Sequence, residues 1–343
     1  MTDRMLTAAQ GEEIGTRLLE GMGTPRASAE VVARSLVSAN LCGHDSHGLL
    51  RLPWYAEFLT DGRADAAAEP VVERTSGASA VVDGRHGWGQ LAGRLAVRTA
   101  AELARQHGVS VVTAHSCNHI GRLGEYAEDL AAQGLVSILW CNADPSVAPF
   151  GGRQRLLGTD PFAAGIPSGE RPPLIVDFAT AAVAEGKLRI ERAAGRQVAP
   201  GLIQDADGRP STDPEDFYSG GSLLPFGGHK GFGLAVLVEL LGGALSGNHV
   251  GFLPQYRWGN GLVLLALAPG RLIDPDSFAA EITEASDVLR GSPPAEGVER
   301  VLLPGDVERA TRERRLRDGF PMLDTLWDRL VELGDRLGVR LPA

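Results

Sequence analysis

Two short apolar runs constrain the fold class most. Val109-Ser110-Val111-Val112 and Val136-Ser137-Ile138-Leu139-Trp140 have the length and β-branched character of buried strands. Each follows a segment of helical periodicity, and each gives way to a loop of small and polar residues, 114–124 and Cys141-Asn142. Two further runs, 174–178 and 262–267, also read as core strands, so helix and strand alternate through the middle of the chain as in an α/β fold. In open α/β sheets ligands sit outside the carboxyl ends of strands, which points to the loops that follow these runs.

The first of those loops carries His119, with Gly121 and Gly124 leaving room for close approach of a cofactor. A loop histidine bonded to backbone is an equal reading. Upstream, residues 6–22 and 28–42 have the spacing of amphipathic helices, the second with Ser28 as its expected N-cap. Directly after them stands Gly43-His44-Asp45-Ser46-His47-Gly48-Leu49-Leu50-Arg51. If a helix starts at His47, Arg51 lies one turn further on the same face. A guanidinium holds a carboxylate through paired charge-assisted bonds, and an imidazole passes a proton near neutral pH. The stretch reads equally as a capped helix start, with Asp45 or Ser46 accepting from backbone N–H groups. Pro53 begins or kinks the next helix, and Gly62 closes it.

Other catalytic readings fail on spacing. Gly87-x-Gly89-x-x-x-Gly93 lies between strands at 71–73 and 80–83 and an Ala-rich helix ending near Gly108. It misses the dinucleotide fingerprint by one residue, and no strand ending in an acid follows about 20 residues on, so a packed glycine turn accounts for it better. Ser46 has Gly43 three residues before it instead of two, and a helix instead of a strand precedes it, which argues against a hydrolase elbow. Cys117 near His119 is weak evidence for a catalytic thiol. A non-catalytic binding protein would have less need of a histidine paired with an arginine, a second loop histidine and two lysines beside glycines.

Further along, 149–161 is turn-rich, Asp177 ends a strand, and Glu185-Gly186-Lys187 rides on a helix. Residues 195–222 show little periodicity and read as a long functional loop or linker. Gly227-Gly228-His229-Lys230 opens a helix over 234–245, a natural anion site without Walker A spacing. Helices are expected over 276–290, 306–317 and 322–337, with Pro304-Gly305-Asp306 capping the second.

A net charge of −10 over 343 residues argues against nucleic acid as a partner. The three cysteines show neither CxxC nor metal-ligand spacing, so no disulfide framework and no metal site are expected. The N-terminus lacks an apolar signal segment and no run approaches about 18 apolar residues, so no membrane association and a cytoplasmic location are expected.

Several motifs recur together: Asp45-Ser46-His47-Gly48 with Arg51, Pro53 and Tyr55; Asn118-His119-x-Gly121-x-x-Gly124-x-Tyr126-Ala127; Pro149-x-Gly151-Gly152; Leu157-Gly158-Thr159-x-Pro161; Asp177-x-Ala179-Thr180; Gly186-Lys187; and Leu224-Pro225-x-Gly227-Gly228-x-Lys230-Gly231-x-Gly233. In this order they resemble the type-2 malate/L-lactate/L-sulfolactate dehydrogenases, a family with ureidoglycolate dehydrogenase, 2,3-diketogulonate reductase and piperideine/pyrroline-2-carboxylate reductase relatives. The resemblance covers nearly the whole chain.

The resemblance implies a non-Rossmann NAD(P)-binding α/β fold of the L-sulfolactate dehydrogenase-like type. A helical domain of residues 1–70 would be completed by 306–343, with an α/β core over 71–305, in a homodimer whose subunits help build each other's sites. It implies hydride transfer between NAD or NADP and C2 of a small 2-oxo or 2-hydroxy acid; the alternative is NADPH-dependent reduction of cyclic 2-imino acids. His47 would donate the proton with Ser46 assisting, although some members are described with His119 in that role, and Arg51 would bind the substrate carboxylate. Cofactor contacts are implied for His119, Ile120, Gly121, Arg122, Leu123, Thr159, Asp177, Phe178, Ala179, His229, Lys230, Gly305 and Arg309. Lys187, on the substrate side, stands where the piperideine branch has an aspartate and leans toward keto-acid chemistry. Asp160, Ala181 and His229 depart from the usual asparagine, serine, and tyrosine or asparagine. Arg122 replaces a small residue and reads as a 2′-phosphate partner or as a solvent-exposed arginine.

Overall fold

In the computed structural model, which describes residues 4–342, the chain opens with β1 (Arg4–Leu6), α1 (Ala8–Gly21), α2 (Arg26–Leu41) and α3 (Leu52–Thr60). Thr7 and Gln10 form a capping box at the start of α1. Helix α2 starts directly after Pro25, so Ser28 lies inside the first turn and is not the cap expected from the sequence. The prolyl ring, with φ near −56°, turns the chain into the helix early.

The central part follows as β2 (Val71–Ser76), β3 (Ser79–Asp83), α4 (Gly89–His107), β4 (Val109–Cys117), α5 (Gly124–Ala131), β5 (Val136–Cys141), β6 (Phe162–Ser168) and β7 (Arg171–Phe178). Then come α6 (Glu185–Ala193), β8 (Ile203–Gln204), β9 (Pro210–Ser211), α7 (Pro214–Tyr218), β10 (Ser222–Leu223), α8 (His229–Glu239) and β11 (Asn260–Leu267). The chain ends with α9 (Pro275–Arg290), α10 (Asp306–Asp318), β12 (Phe320–Met322) and α11 (Asp324–Leu337).

Seven strands form one mixed sheet in the order β2-β3-β4-β11-β5-β6-β7. Strand β11 runs antiparallel to both β4 and β5, so those two point the same way and their carboxyl ends open on one edge. Helices α4 and α5 cover this sheet, burying Ala96 and Leu130 against Val112, Leu139 and Leu264. The crossover from β3 through α4 to the parallel β4 has the shape of a nucleotide-binding unit, but its glycines face protein. A Cβ at Gly89 would strike the Asn118 carbonyl, and one at Gly93 would strike the Tyr126 ring. These glycines serve packing, not phosphate.

The two chain ends meet in a second core. β1 pairs with β12, and Ile14, Leu18, Leu36, Leu49, Tyr55 and Trp88 pack with Phe320, Leu330 and Leu333. A third, smaller core corrects the reading of 195–222 as a long loop. Its two-residue strands β10-β8-β9 and helix α7 bury Ile203, Phe217 and Leu223 against Leu188 and Ala235. Strands of two residues are too short for periodicity to show. Helix α8 begins at His229, five residues earlier than expected, because Gly228 takes a positive φ of 63° and lets the chain turn straight in.

Candidate active site

The single helix face expected for His47 and Arg51 does not form. Gly48 is extended and splits the stretch into two 3₁₀ turns, Asp45–His47 and Leu49–Arg51, and α3 begins only at Leu52. The cause is Asn40 of α2. Its amide fills the space a Cβ on Gly48 would need, accepts from Leu49 N at 3.0 Å and donates to Asp45 at 2.7 Å. Arg315 of α10 adds a second hold on Asp45 at 2.8 Å, so neither Asp45 nor Ser46 caps a helix. His47 and Arg51 meet all the same. Arg51 folds back to donate from Nε to the Ser46 carbonyl at 2.7 Å, and both side chains line one cavity of about 260 Å³. A larger cavity, about 500 Å³, lies against α9 and holds no histidine.

His119 reaches the same cavity from the carboxyl end of β4. Its ring stacks on that of His47 with centroids 5.4 Å apart. A buried chain holds it from behind: Gln90 Nε2 donates to the Tyr55 hydroxyl at 2.7 Å, and that hydroxyl lies 2.8 Å from His119 Nδ1. With Gln90 donating, the Tyr55 proton goes to Nδ1, and the neutral ring carries its own hydrogen on Nε2. Nε2 is buried with no hydrogen-bond partner. Trp88 stacks 4.9 Å from Tyr55 and donates to Thr24 at 2.7 Å, which fixes the tyrosine ring. His47 has a lighter hold, Ser46 Oγ at 3.0 Å from its Nδ1.

Both imidazoles are neutral. Burial, followed by the nearby Arg51 charge, lowers His47 to about 3 and holds His119 well below the ordinary histidine value. Arg51 makes no ion pair among the described residues. The cavity therefore offers one cation without an ion pair, in reach of the Glu185 and Asp144 carboxylates, beside two neutral rings. Cys117, by contrast, is buried with its thiol pushed up to about 12, so no Cys/His nucleophile forms.

Ile120, Gly121, Leu123 and Thr159 line the cavity with His47, Arg51 and His119. Lys187 does not. It is exposed on α6, and the residue of that helix lining the cavity is Glu185, because Gly186 packs against Ser46 so closely that a Cβ would come within 2.8 Å of Ser46 Cβ.

A second cluster lies beyond Leu123. Arg122 is only 3% exposed, with Nη2 at 2.7 Å from Glu128 and Nη1 at 3.7 Å from Asp177. It is not the solvent-exposed arginine considered from the sequence. Asp177 also accepts from Gly124 N at 2.9 Å, and burial pushes its carboxyl above the usual range. Gly305 packs against Ile175 of β7, Arg309 pairs with Asp306 at 3.0 Å, and His44 faces Glu308 at 3.4 Å. Phe178 sits between Phe162 and Phe226, each 5.6 Å away, with Ala179 next in the chain. His229 and Lys230 are exposed in the first turn of α8 and do not reach the cavity.

Tyr55 was seen in the sequence only as part of a motif, and Gln90 was hidden in a glycine turn. Asp144, Trp258 and Asn260 were missed altogether. Asn260 accepts from Ile120 N at 3.2 Å and donates to the Asn142 carbonyl at 2.7 Å, tying the loops after β4 and β5 together. An asparagine between two glycines, Gly259-Asn260-Gly261, immediately before the apolar run 262–267 was the available signal.

A guanidinium without an ion pair and two neutral imidazoles at the open edge of the sheet suit the binding of a small acid and the movement of a proton on it. The malate/L-lactate dehydrogenase family profile matches residues 6–331. The chain is 35% identical over 330 residues to an L-sulfolactate dehydrogenase from Methanothermobacter thermautotrophicus, covering 94% of each chain. It is 38% identical over 347 residues to an L-lactate dehydrogenase from Cupriavidus necator, covering 98% of each. The solved structure of a putative malate/lactate dehydrogenase from Escherichia coli superimposes with a TM-score of 0.94 at 33% identity, covering 98% of this chain and 96% of that one. The chain belongs to the malate/L-lactate dehydrogenase family. It is an oxidoreductase that works with a nicotinamide cofactor on a small hydroxy or oxo acid.

Proposed function

We propose that Arg51 holds the carboxylate of a small 2-oxo or 2-hydroxy acid while His47, oriented by Ser46, carries the proton to and from the C2 oxygen. The observation that carries this reading is the meeting of an unpaired guanidinium and neutral imidazoles in one cavity. When bound, a nicotinamide exchanges a hydride with C2 of the substrate.

The residues present suit that group. His119 Nε2–H is a buried donor without a protein partner, and Gly121, at φ +82°, brings backbone to the cavity wall. Ile120, Gly121, Leu123 and Thr159 would hold the nicotinamide end. Asp177, Phe178, Ala179, Gly305 and Arg309 would hold the middle, with His229 and Lys230 toward the pyrophosphate. Glu128 and Asp177 already meet the Arg122 charge, which favours NADH over NADPH.

His119 is the fixed donor, not the proton carrier. Its Nδ1 leads only to the buried Tyr55 and Gln90, whereas His47 leads to the half-exposed Ser46. In oxidation, neutral His47 accepts the hydroxyl proton; in reduction, it returns it. The reading also takes the protein as a cytoplasmic homodimer. Leu237, Leu240 and Leu245, exposed along α8 and its π-helical continuation, support a partner-covered face, and sedimentation would test it. Among the described residues no helix is long and apolar enough to cross a membrane.

The test is a screen of 2-oxo acids and cyclic imino acids at 340 nm with NADH and NADPH separately. Oxidation of NADH by at least one 2-oxo acid is the expected result. Turnover of imines alone would replace this reading with the imino-acid reductase, and no absorbance change with any substrate would end it.

A further inference from the structure

The cavity that takes the substrate has one cation to spare. Two arginines line it, Arg51 and Arg63. Arg63 is engaged elsewhere: it pairs with Asp61 at 2.7 Å and stacks 4.4 Å over Phe58. Arg51 has no acid partner among the described residues and donates only to the Ser46 carbonyl.

Two acids line the same cavity, Asp144 and Glu185. Glu185 is braced by two residues. Arg189, one turn along α6, reaches both its oxygens from Nη2 at 2.9 and 3.0 Å, and the Tyr218 hydroxyl donates to it at 2.7 Å. Arg189 does not line the cavity; it stacks 4.3 Å over Trp54, the ring that Arg51 covers at 4.6 Å. The acid faces the substrate and its base stands outside the lining. Asp144 accepts from the Tyr256 hydroxyl and makes no ion pair among the described residues, while the Arg51 charge acts on it across the cavity.

We propose that Glu185, backed by Asp144, determines substrate charge: the enzyme takes 2-oxo acids that carry one carboxylate and a neutral or hydrogen-bond-donating distal group, and rejects those with a second anionic group. The proposal rests on the reading of Arg51 as the carboxylate anchor. One carboxylate satisfies Arg51. A second anion meets two acids and an arginine that is already paired, and a charge left unpaired in a confined site is costly. A neutral group meets no such cost, and a donor gains Glu185 as acceptor. Discrimination of this kind comes from the repulsive element as much as from the attractive one.

The test compares oxaloacetate with 4-methyl-2-oxopentanoate, which has an isopropyl group in place of the distal carboxylate and nearly the same shape. Steady-state reduction is followed at 340 nm with a wider panel of 2-oxo acids alongside. In the wild type, kcat/KM is expected to be about tenfold or more higher for the monoacid, as like-charge juxtaposition requires. Glu185→Gln removes the charge and loosens Arg189, and it should narrow that ratio about tenfold, chiefly through a lower KM for oxaloacetate. Asp144→Asn should move the ratio the same way by less. Thermal melts check that the variants fold; if Glu185→Gln does not, the wild-type ratio and Asp144→Asn decide. Wild-type preference for oxaloacetate, or a ratio unmoved by both substitutions, overturns the charge selection while leaving the dehydrogenase reading intact. A panel with no 2-oxo acid reduced overturns both.

Discussion

His47 and His119 share one cavity but rest on different supports. The turn that carries His47 is tied down through its neighbours, Asn40 and Arg315 holding Asp45, while the ring stacks on His119 and has one hydrogen-bond partner among the described residues, the Ser46 hydroxyl. The ring of His119 is itself the end of a buried chain through Tyr55 and Gln90, and that chain sets which nitrogen bears hydrogen. Rigidity lies in the backbone for one histidine and in the side chain for the other. A group that must gain and lose a proton is better served by the first arrangement, and a group that must present a fixed donor by the second.

The pH profile carries the largest effect. Burial and the Arg51 charge hold both histidines down, His47 to about 3, so the free enzyme has neutral rings across the working range. Oxidation uses the neutral ring as base, so its kcat/KM should stay flat as pH falls through 6.5, the ordinary histidine value. Reduction uses the protonated ring, so its kcat/KM should fall roughly tenfold per pH unit across the neutral range. A break in both profiles at the ordinary histidine value would mean that the proton carrier is not a depressed imidazole.

Arg51→Lys comes next. Lysine cannot reproduce the planar fork, and losing a charge-assisted pair worth about 1.5–3 kcal/mol should raise KM for the acid roughly 10–100-fold with a smaller change in kcat. A carboxamide analogue turning over as well as the acid would remove Arg51 from this role. Tyr55→Phe sharpens the comparison further: it leaves His119 Nδ1 buried without its partner, at a cost of about 1–3 kcal/mol in urea-melt stability, and frees the ring to change tautomer. Ser46→Ala, on the lightly held side, should cost the least, about 0.5–1.5 kcal/mol in transition-state stabilisation and little in folding stability. A larger stability loss from Ser46→Ala than from Tyr55→Phe would invert the assignment.

Periodicity was enough to find β4 and β5 and to direct attention to their carboxyl ends, where the cavity opens. It had no means of finding that β11 pairs between them, because register across some 120–150 residues is written in no local pattern. The same limit applies within the site. His47, Arg51 and His119 announce themselves by residue type. The extended Gly48, however, depends on Asn40 a helix away, and the burial of Arg122 depends on Asp177 from a distant strand. Lys187 drew attention over Glu185 because a lysine beside glycine suggests an anion site, yet the packing of Gly186 on Ser46 turns the acid inward. Spacing carries chemistry over a turn or two; orientation comes from what packs behind.

The central claim, that His47 moves the proton in a nicotinamide-dependent hydride transfer, is tested most directly by His47→Ala. NADH affinity is followed by fluorescence and reduction of a 2-oxo acid at 340 nm. The account predicts unchanged cofactor binding and a loss in kcat of roughly 10²–10⁴, the usual contribution of a positioned general acid. Turnover within a few-fold of the wild type, with His119→Ala abolishing it, would contradict the account and give the proton to His119.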